Sequence, residues 1–164
     1  MHIRNSYRLL TVALAALLPL SAIGSESKPA DRDRAAITRQ LDLYEQALNS
    51  ADIDTVMKLY ASDAVFMPQH SLPVEGRDAV RTAYRHVFDT IRLNIDFTID
   101  EIDVLSREWA YARTRSNGTV KVLASNQPPA PEANQELFLL HRETDGEWRF
   151  ARYIFSTTNP PTRP

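Results

Sequence analysis

Asp63 is the first residue of this sequence whose position could serve chemistry. It lies in Tyr60–Pro68, where helical spacing of apolar residues gives way to the β-type run Val65-Phe66-Met67. A carboxylate at the mouth of a pocket can have a raised pKa and act as a general base. A short acid just after a helix end can instead bond backbone amides and hold the turn. Asp63 is therefore either a candidate base or an architectural residue.

His70 is the second candidate for acid–base chemistry. It follows Pro68 and Gln69 in a segment that the proline removes from the preceding strand. An unperturbed imidazole titrates near neutral pH, so it can exchange protons under ordinary conditions. The alternative is an exposed loop histidine with no role.

Arg113 and Arg152 each fall among apolar residues on predicted strands, with Arg152 assigned to the same face as Phe150 and Ile154. A guanidinium in such a place needs a partner acid or a bound anion. Together the two arginines could bind a ligand carboxylate. The alternative is an ion pair with Asp96, Asp103, Glu136 or another acid on a neighbouring strand.

Three aromatic residues, Tyr84, Trp109 and Phe150, could line a pocket, although core packing explains each of them as well. The chain has no cysteine, so it offers neither a thiol nucleophile nor a cysteine metal site. HExxH, phosphate-loop and paired-histidine patterns are also missing from the sequence. We therefore expect no metal and no cofactor.

Apolar spacing and turn residues divide the chain into helices and strands. Helices are predicted over residues 31–49, 53–60 and 77–89, and strands over 65–67, 93–104, 109–123, 135–142 and 147–156. Strands that gather after helices indicate an α+β fold with a mainly antiparallel sheet. Asp145-Gly146 predicts a hairpin, and the shift of alternation near Asp100 predicts a bulge. Because of that shift, the sequence leaves open which strand face is concave.

The strand that begins near Gln135 is apolar on both faces, with Leu137 and Leu139 on one and Phe138 and Leu140 on the other. An antiparallel sheet with one wet face alternates cleanly, so this pattern predicts cover on both sides. The helices can cover one face. A second copy of the chain is the simplest cover for the other, which predicts a homodimer through the outer sheet face.

The N-terminal segment reads as a signal peptide over residues 1–24, with Arg4 and Arg8 before the apolar run Leu9–Leu20 and cleavage near Gly24. An uncleaved anchor is the alternative. We expect a periplasmic or secreted protein with no membrane contact after cleavage. The domains are then a polar lead-in, one folded domain and a disordered tail, at residues 25–30, 31–158 and 159–164.

Charge argues against nucleic acid as a partner. Residues 1–24 contain no acid and two arginines, so the remaining chain has 17 Lys and Arg against 21 Asp and Glu. A net charge of −4 gives no long-range attraction to a phosphate backbone.

Three segments resemble the nuclear transport factor 2-like superfamily, and within it the SnoaL-like and SgcJ/EcaC-type small bacterial proteins. They are Leu59–Phe66, Val74–Val80 and Asp145–Ala151. The resemblance implies a cystatin-like cone, in which three N-terminal helices (order ααβαββββ) pack on a strongly bent sheet around an apolar pocket. Enzymes of the superfamily transfer protons there with Asp, His, Tyr or Arg, and several members form dimers through the outer sheet face. The steroid isomerase-type Tyr and Asp set and the epoxide hydrolase-type Asp-Arg-Asp set cannot be placed here.

Three functions are consistent with these features. The first is an exported protein that binds a small apolar or carboxylate-bearing molecule. The second is a cofactor-independent isomerase, hydratase or cyclase, with Asp63 or His70 as base and Arg152 or Tyr84 polarising an oxygen. The third is a homo-oligomeric association module. Export favours binding, because it separates the protein from cytoplasmic biosynthesis.

Overall fold

The computed structural model describes residues 28–160. The signal-peptide prediction for residues 1–24 lies outside them, as does most of the predicted tail. Within the described range the chain forms three helices and six strands. The elements are α1 (Pro29–Ser50), α2 (Ile53–Leu59), β1 (Tyr60–Met67), β2 (Val74–Glu75), α3 (Arg77–Thr90), β3 (Ile91–Val104), β4 (Trp109–Val122), β5 (Ala130–Arg142) and β6 (Trp148–Thr157). None of the described helices is long and apolar enough to cross a membrane.

Helix α1 buries the stripe that its spacing predicts, from Ile37 through Leu41 and Tyr44 to Leu48. It ends at Ser50, and the next residue, Ala51, takes a left-handed conformation. Asp52 then caps α2, because its carboxylate accepts a 3.0 Å bond from the backbone amide of Thr55. The two helices therefore meet at a sharp, locally encoded turn.

The sheet has the order β2-β1-β6-β5-β4-β3, and only β1 and β6 run parallel within the described chain. The α+β class and the packing of helices on a mainly antiparallel sheet are confirmed. The short strand β2 is an addition, since no helix or strand is predicted over residues 68–76. It pairs with β1 through Val65 and Phe66.

Two strands start five residues earlier than predicted. β1 begins at Tyr60, because that residue already pairs with Phe150 of β6. Asp63 therefore lies inside a strand and not at a helix end. β5 begins at Ala130, where the proline-rich segment pairs with the far end of β4, and Pro131 lies opposite Thr119.

Two irregularities set the faces of the sheet. The predicted bulge near Asp100 is confirmed, since the register of β3 against β4 shifts between Ile99 and Glu101. A second one lies in β6, where Leu140 pairs with Phe150 and Leu139 pairs with Arg152. Ala151 is therefore extra, and it changes the phase of alternation along β6.

Helix α1 covers the open edge of β3. Asn49 donates to the carbonyl of Ile95 at 2.7 Å and accepts from its amide at 2.9 Å. Glu45 accepts from the amide of Phe97 at 2.6 Å. These bonds satisfy backbone groups that an edge strand would otherwise expose. They also hold the C-terminal half of α1 over the concave face of the sheet.

Candidate functional site

A cavity of about 250 Å³ lies between the helices and the concave face of the sheet. Most of its lining is aliphatic or aromatic. The apolar lining comes from α1, α3 and every strand except β2 and β5, and includes Leu48, Phe66, Val87, Leu93, Ile95 and Phe97. Lining residues at one end, among them Gln69, Ile91 and Val120, are only half-buried. That end is the mouth of the cavity.

One side of the cavity is polar. Ser116 on β4 and Glu132, Asn134 and Glu136 on β5 line it, and we call these four residues the polar wall. The three β5 residues are spaced by two, so they share one face of the strand. Further along that face come Phe138 and Leu140, which are fully buried. The inner face of β5 thus changes from polar at the cavity to apolar in the core.

Glu136 is the most deeply placed acid of the polar wall, with only 4% of its surface exposed. The hydroxyl of Thr114, directly opposite on β4, donates to its carboxylate. Burial raises the pKa of Glu136, and hydrogen bonds from Ser116 and Thr114 oppose that rise only in part. A buried carboxyl of this kind can hold or accept a proton at a pH where an exposed one cannot.

Asn134 adds an unpaired acceptor. Its amide nitrogen donates to Glu132 at 2.9 Å and lies 3.4 Å from the hydroxyl of Ser116. Its Oδ1 is buried and has no hydrogen-bond partner within residues 28–160. A buried acceptor without a partner loses the free energy of a hydrogen bond. It is therefore a group that a ligand donor can satisfy.

Four tyrosines, Tyr44, Tyr60, Tyr84 and Tyr153, meet beside the cavity, and we call them the tyrosine cluster. The Tyr84 hydroxyl bonds those of Tyr44 and Tyr60, the latter at 2.8 Å. Burial raises the pKa of all four phenols above the ordinary value. They therefore remain neutral hydrogen-bonding groups, and Tyr84 and Tyr153 present them at the cavity lining.

The aromatic candidates from the sequence separate into three places. Tyr84 lines the cavity. Phe150 is fully buried and packs on Tyr44 and Phe138, beneath the cavity and not in its lining. Trp109 lies on the opposite, outer face of the sheet, against His141.

Both arginine candidates also lie on the outer face, outside the cavity. The extra residue Ala151 in β6 turns Arg152 away from Phe150, with which the sequence had grouped it. Arg152 donates to the carbonyl of Asp63 at 3.1 Å. Arg113 bonds Asp100 at 3.2 Å and Glu101 at 3.4 Å. Each arginine therefore has an acid partner on a neighbouring strand, as the ion-pair alternative expected, although none of the three acids named for it is the partner.

The two candidate bases lie at the surface. The Asp63 carboxylate is mostly exposed and 3.8 Å from the Arg152 guanidinium. His70 is exposed in the loop between β1 and β2, with a positive φ of 59°. Its neighbour Gln69 lines the cavity mouth, but His70 does not.

From the sequence, Glu136 is predicted only as an ion-pair partner, and Asn134 and Ser116 are not predicted as site residues. The usable signal was the spacing of Glu132, Asn134 and Glu136 in phase with Phe138. Polar residues that continue an apolar strand face indicate a polar wall inside a core. The apolar Leu137 and Leu139 on the other face concealed it.

No group of three or more His, Asp or Glu side chains within residues 28–160 is placed to hold a metal ion. The polar wall has two acids, yet they are not joined by a third ligand.

The sequence profile of the SnoaL-like domain matches residues 41–158. A ketosteroid isomerase-like protein from Erwinia carotovora atroseptica is 34% identical, with a TM-score of 0.73 over 77% of this chain and 96% of that one. A conserved protein from Planctomyces limnophilus is 21% identical, with a TM-score of 0.66 over 77% and 98%. A cystatin-like fold protein from Caulobacter vibrioides is 19% identical, with a TM-score of 0.64 over 79% and 92%. No curated protein matches the sequence significantly.

Proposed function

This chain belongs to the SnoaL-like domain family, and we propose that it binds a small, mainly apolar molecule in the cavity of the cone. The observation that carries the proposal is the cavity itself, an apolar space of about 250 Å³ with polar groups gathered on one wall. Apolar walls with a few placed polar groups are typical of small-molecule sites. The family resemblance read from the sequence is confirmed, while the SgcJ/EcaC assignment stays a prediction.

The volume limits the ligand. Sites for drug-sized molecules range from about 300 to 1,000 Å³, so this cavity suits something smaller. A dry cavity of about 150 Å³ is enough for benzene. A single ring with a short polar substituent therefore fits the space.

Binding of a hydrophobic fluorescent probe to two variants tests the proposal. Val120→Trp would fill the cavity mouth, whereas Val122→Trp places the same side chain two residues along β4, outside the lining. We expect the first variant to lose probe binding at least tenfold and the second to retain it. Equal probe binding by both variants would place the site elsewhere.

A second function is favoured by Glu136, and it is proton transfer on the bound molecule. A buried carboxylate with a raised pKa is suited to remove a proton from carbon beside a carbonyl. A neutral phenol of the tyrosine cluster can donate to the oxygen that becomes negative. This proposal moves the base from Asp63 or His70 to Glu136, because only Glu136 lines the cavity.

Exchange of the α-protons of cyclohexanone in D₂O, followed by NMR, tests for this chemistry. We expect exchange faster than the buffer rate, lost in Glu136→Gln and kept in Asp63→Asn. Exchange that persists in the Glu136 variant, or that never exceeds the buffer rate, would remove proton transfer and leave binding alone.

We further propose that two copies associate through the outer sheet face. That face exposes Leu137 and Ile154, each by more than two-fifths, together with Leu105 and Trp109. Acidic and basic side chains surround these apolar residues. A two-fold axis can therefore bring the acids of one copy opposite the arginines of the other. Contiguous exposed apolar surface of this kind marks an interaction site.

Light scattering after size-exclusion chromatography tests the dimer. Ile154→Lys should convert a dimer to a monomer, while Asn117→Lys, on the polar end of the same face, should not. Wild-type protein that stays monomeric over a 100-fold range of concentrations would contradict the association.

Export is the last part of the proposal. An intact mass that corresponds to a chain beginning at Ser25, measured on protein from the native host, would support it.

A further inference from the structure

We propose that the cavity selects molecules with an apolar body and a hydrogen-bond donor, which is an amine or a hydroxyl. Molecules that carry a carboxylate are rejected. The inference rests on the proposed binding function and narrows it to a ligand class. It differs from the expectation drawn from the sequence, which allowed a carboxylate-bearing partner because of Arg113 and Arg152. Both arginines lie on the outer face, where a ligand in the cavity cannot reach them.

The first support is the orientation of the Asn134 amide. A carboxylate can only accept hydrogen bonds, so Glu132 fixes the nitrogen of Asn134 on its own side. The oxygen must then point the other way, where it is buried and without a partner in the described chain. The need of the Glu132 carboxylate for a donor therefore fixes the orientation of the Asn134 side-chain amide. A ligand that donates to Oδ1 removes an unmet acceptor.

The second support is Glu136. Its carboxylate accepts from the hydroxyls of Thr114 and Ser116. An ionised carboxyl has about four lone-pair positions, so acceptor capacity remains after these two bonds. Burial disfavours its negative charge. A donor from the ligand would restore the solvation that burial removes, and a cationic donor would restore most.

The third support is the charge of the lining. The cavity is lined by two acids, Glu132 and Glu136, and by no Lys, Arg or His within residues 28–160. At the mouth, Oε1 of Gln69 accepts a hydrogen bond from the backbone amide of Thr157. The side-chain nitrogen of Gln69 is therefore the atom that can donate to a ligand. The Tyr84 hydroxyl is shared with two other phenols. An anion entering this site would meet like charges in a poorly solvated space, which excludes it.

Four probes of similar size test the selection: 2-phenylethylamine, 2-phenylethanol, ethylbenzene and phenylacetate. Their affinities are measured by displacement of the fluorescent probe and by shifts of cavity-lining amides in the NMR spectrum. We expect the amine and the alcohol to bind at least tenfold tighter than ethylbenzene, with the amine tightest. The carboxylate should be the weakest of the four.

Two conservative variants connect the preference to its atoms. Asn134→Leu removes the acceptor at similar volume, and Glu136→Gln removes the charge at the same shape. Each should reduce amine affinity at least tenfold and leave ethylbenzene within twofold. Glu108→Gln, the same change on an exposed loop, should alter neither. The wild-type series is informative even if a variant does not fold.

The outcomes separate the two levels of the proposal. If ethylbenzene binds as tightly as the amine, or the carboxylate binds tightest, donor selection is overturned while binding in the cavity stands. Unchanged ligand preference in both variants would overturn the assignment to Asn134 and Glu136. If none of the four displaces the probe or shifts the lining amides, the proposed binding function fails, and donor selection with it.

Discussion

The two faces of strands β3 to β6 differ in the environment that they give to an acidic side chain, although alternate residues of the same strands build both faces. On the inner face, Glu136 is buried against hydroxyls, and burial raises its pKa. On the outer face, Asp100 is bound by the guanidinium groups of Arg115 and Arg113, which lower its pKa. The inner face gives its acid hydroxyl partners but no positive charge, whereas the outer face gives its acid two guanidinium groups.

The contrast indicates where each face can act. An acid that the protein leaves without a countercharge is available to a ligand or a proton. An acid that already has two arginines is a structural group. The contrast therefore supports the proposed small-molecule site on the inner face. It also supports the proposed association through the outer face, where apolar side chains lie between neutralised charges.

The largest expected difference between the faces is in packing. Phe138→Ala on the inner face should lower the free energy of unfolding by about 3–5 kcal/mol, because it leaves a cavity among Tyr44, Phe150 and Tyr153. Leu137→Ala, the next residue and on the outer face, should cost about 1 kcal/mol or less in the monomer. Urea denaturation at low protein concentration measures both. Equal losses would mean that the outer face is also a packed core in the monomer.

The next largest difference between the faces is expected in the stability lost when a tyrosine hydroxyl is removed. Tyr84→Phe removes the hydroxyl that joins Tyr44 and Tyr60, so it should destabilise the fold by about 1–3 kcal/mol. Tyr111→Phe removes an exposed bond to Glu101 and should cost less than about 1 kcal/mol. Thermal and urea unfolding compare them. A neutral Tyr84→Phe would show that the cluster does not contribute to stability.

The two acids should give pH dependences of opposite sign. The pKa of Glu136 is raised, so its contribution to stability is complete below its ordinary value of 4.5 and is lost as pH rises through the higher folded value. The pKa of Asp100 is lowered, so its contribution is present above 3.8 and is lost as pH falls. Glu136→Gln should therefore gain stability relative to wild type as pH rises, and Asp100→Asn should lose it. Urea midpoints between pH 3 and pH 8 measure both slopes, and slopes of the same sign would contradict the assignment.

The smallest effect is expected at Asp63. Its carboxylate is exposed and 3.8 Å from Arg152, a pair of the kind that contributes about 0–1 kcal/mol. Asp63→Asn should change unfolding free energy by less than about 0.5 kcal/mol, and probe affinity by less than twofold. A tenfold loss of probe affinity would return Asp63 to the site and weaken the separation of the faces.

The local elements of this fold could be predicted from the sequence, because short-range patterns specify them. The stripe of Ile37, Leu41 and Tyr44 predicts α1, and Asp145-Gly146 predicts the hairpin that joins β5 to β6. The bulge at Asp100 appears as a shift in alternation. Apart from the unpredicted short strand β2, errors were confined to the ends of elements. At Tyr60 and Ala130, pairing with a distant strand extended a strand past its own signal.

Sequence alone therefore determined the fold class, the family and the existence of two apolar faces on the sheet. Only the tertiary structure decided which face is inside. Strand alternation has a period of two, so one extra residue, Ala151, exchanges the faces for everything beyond it. That exchange moved Arg152 to the outer face. The depth of Glu136 and the unpaired oxygen of Asn134 depend on helices packed over distant strands, and no short stretch of sequence carries that information.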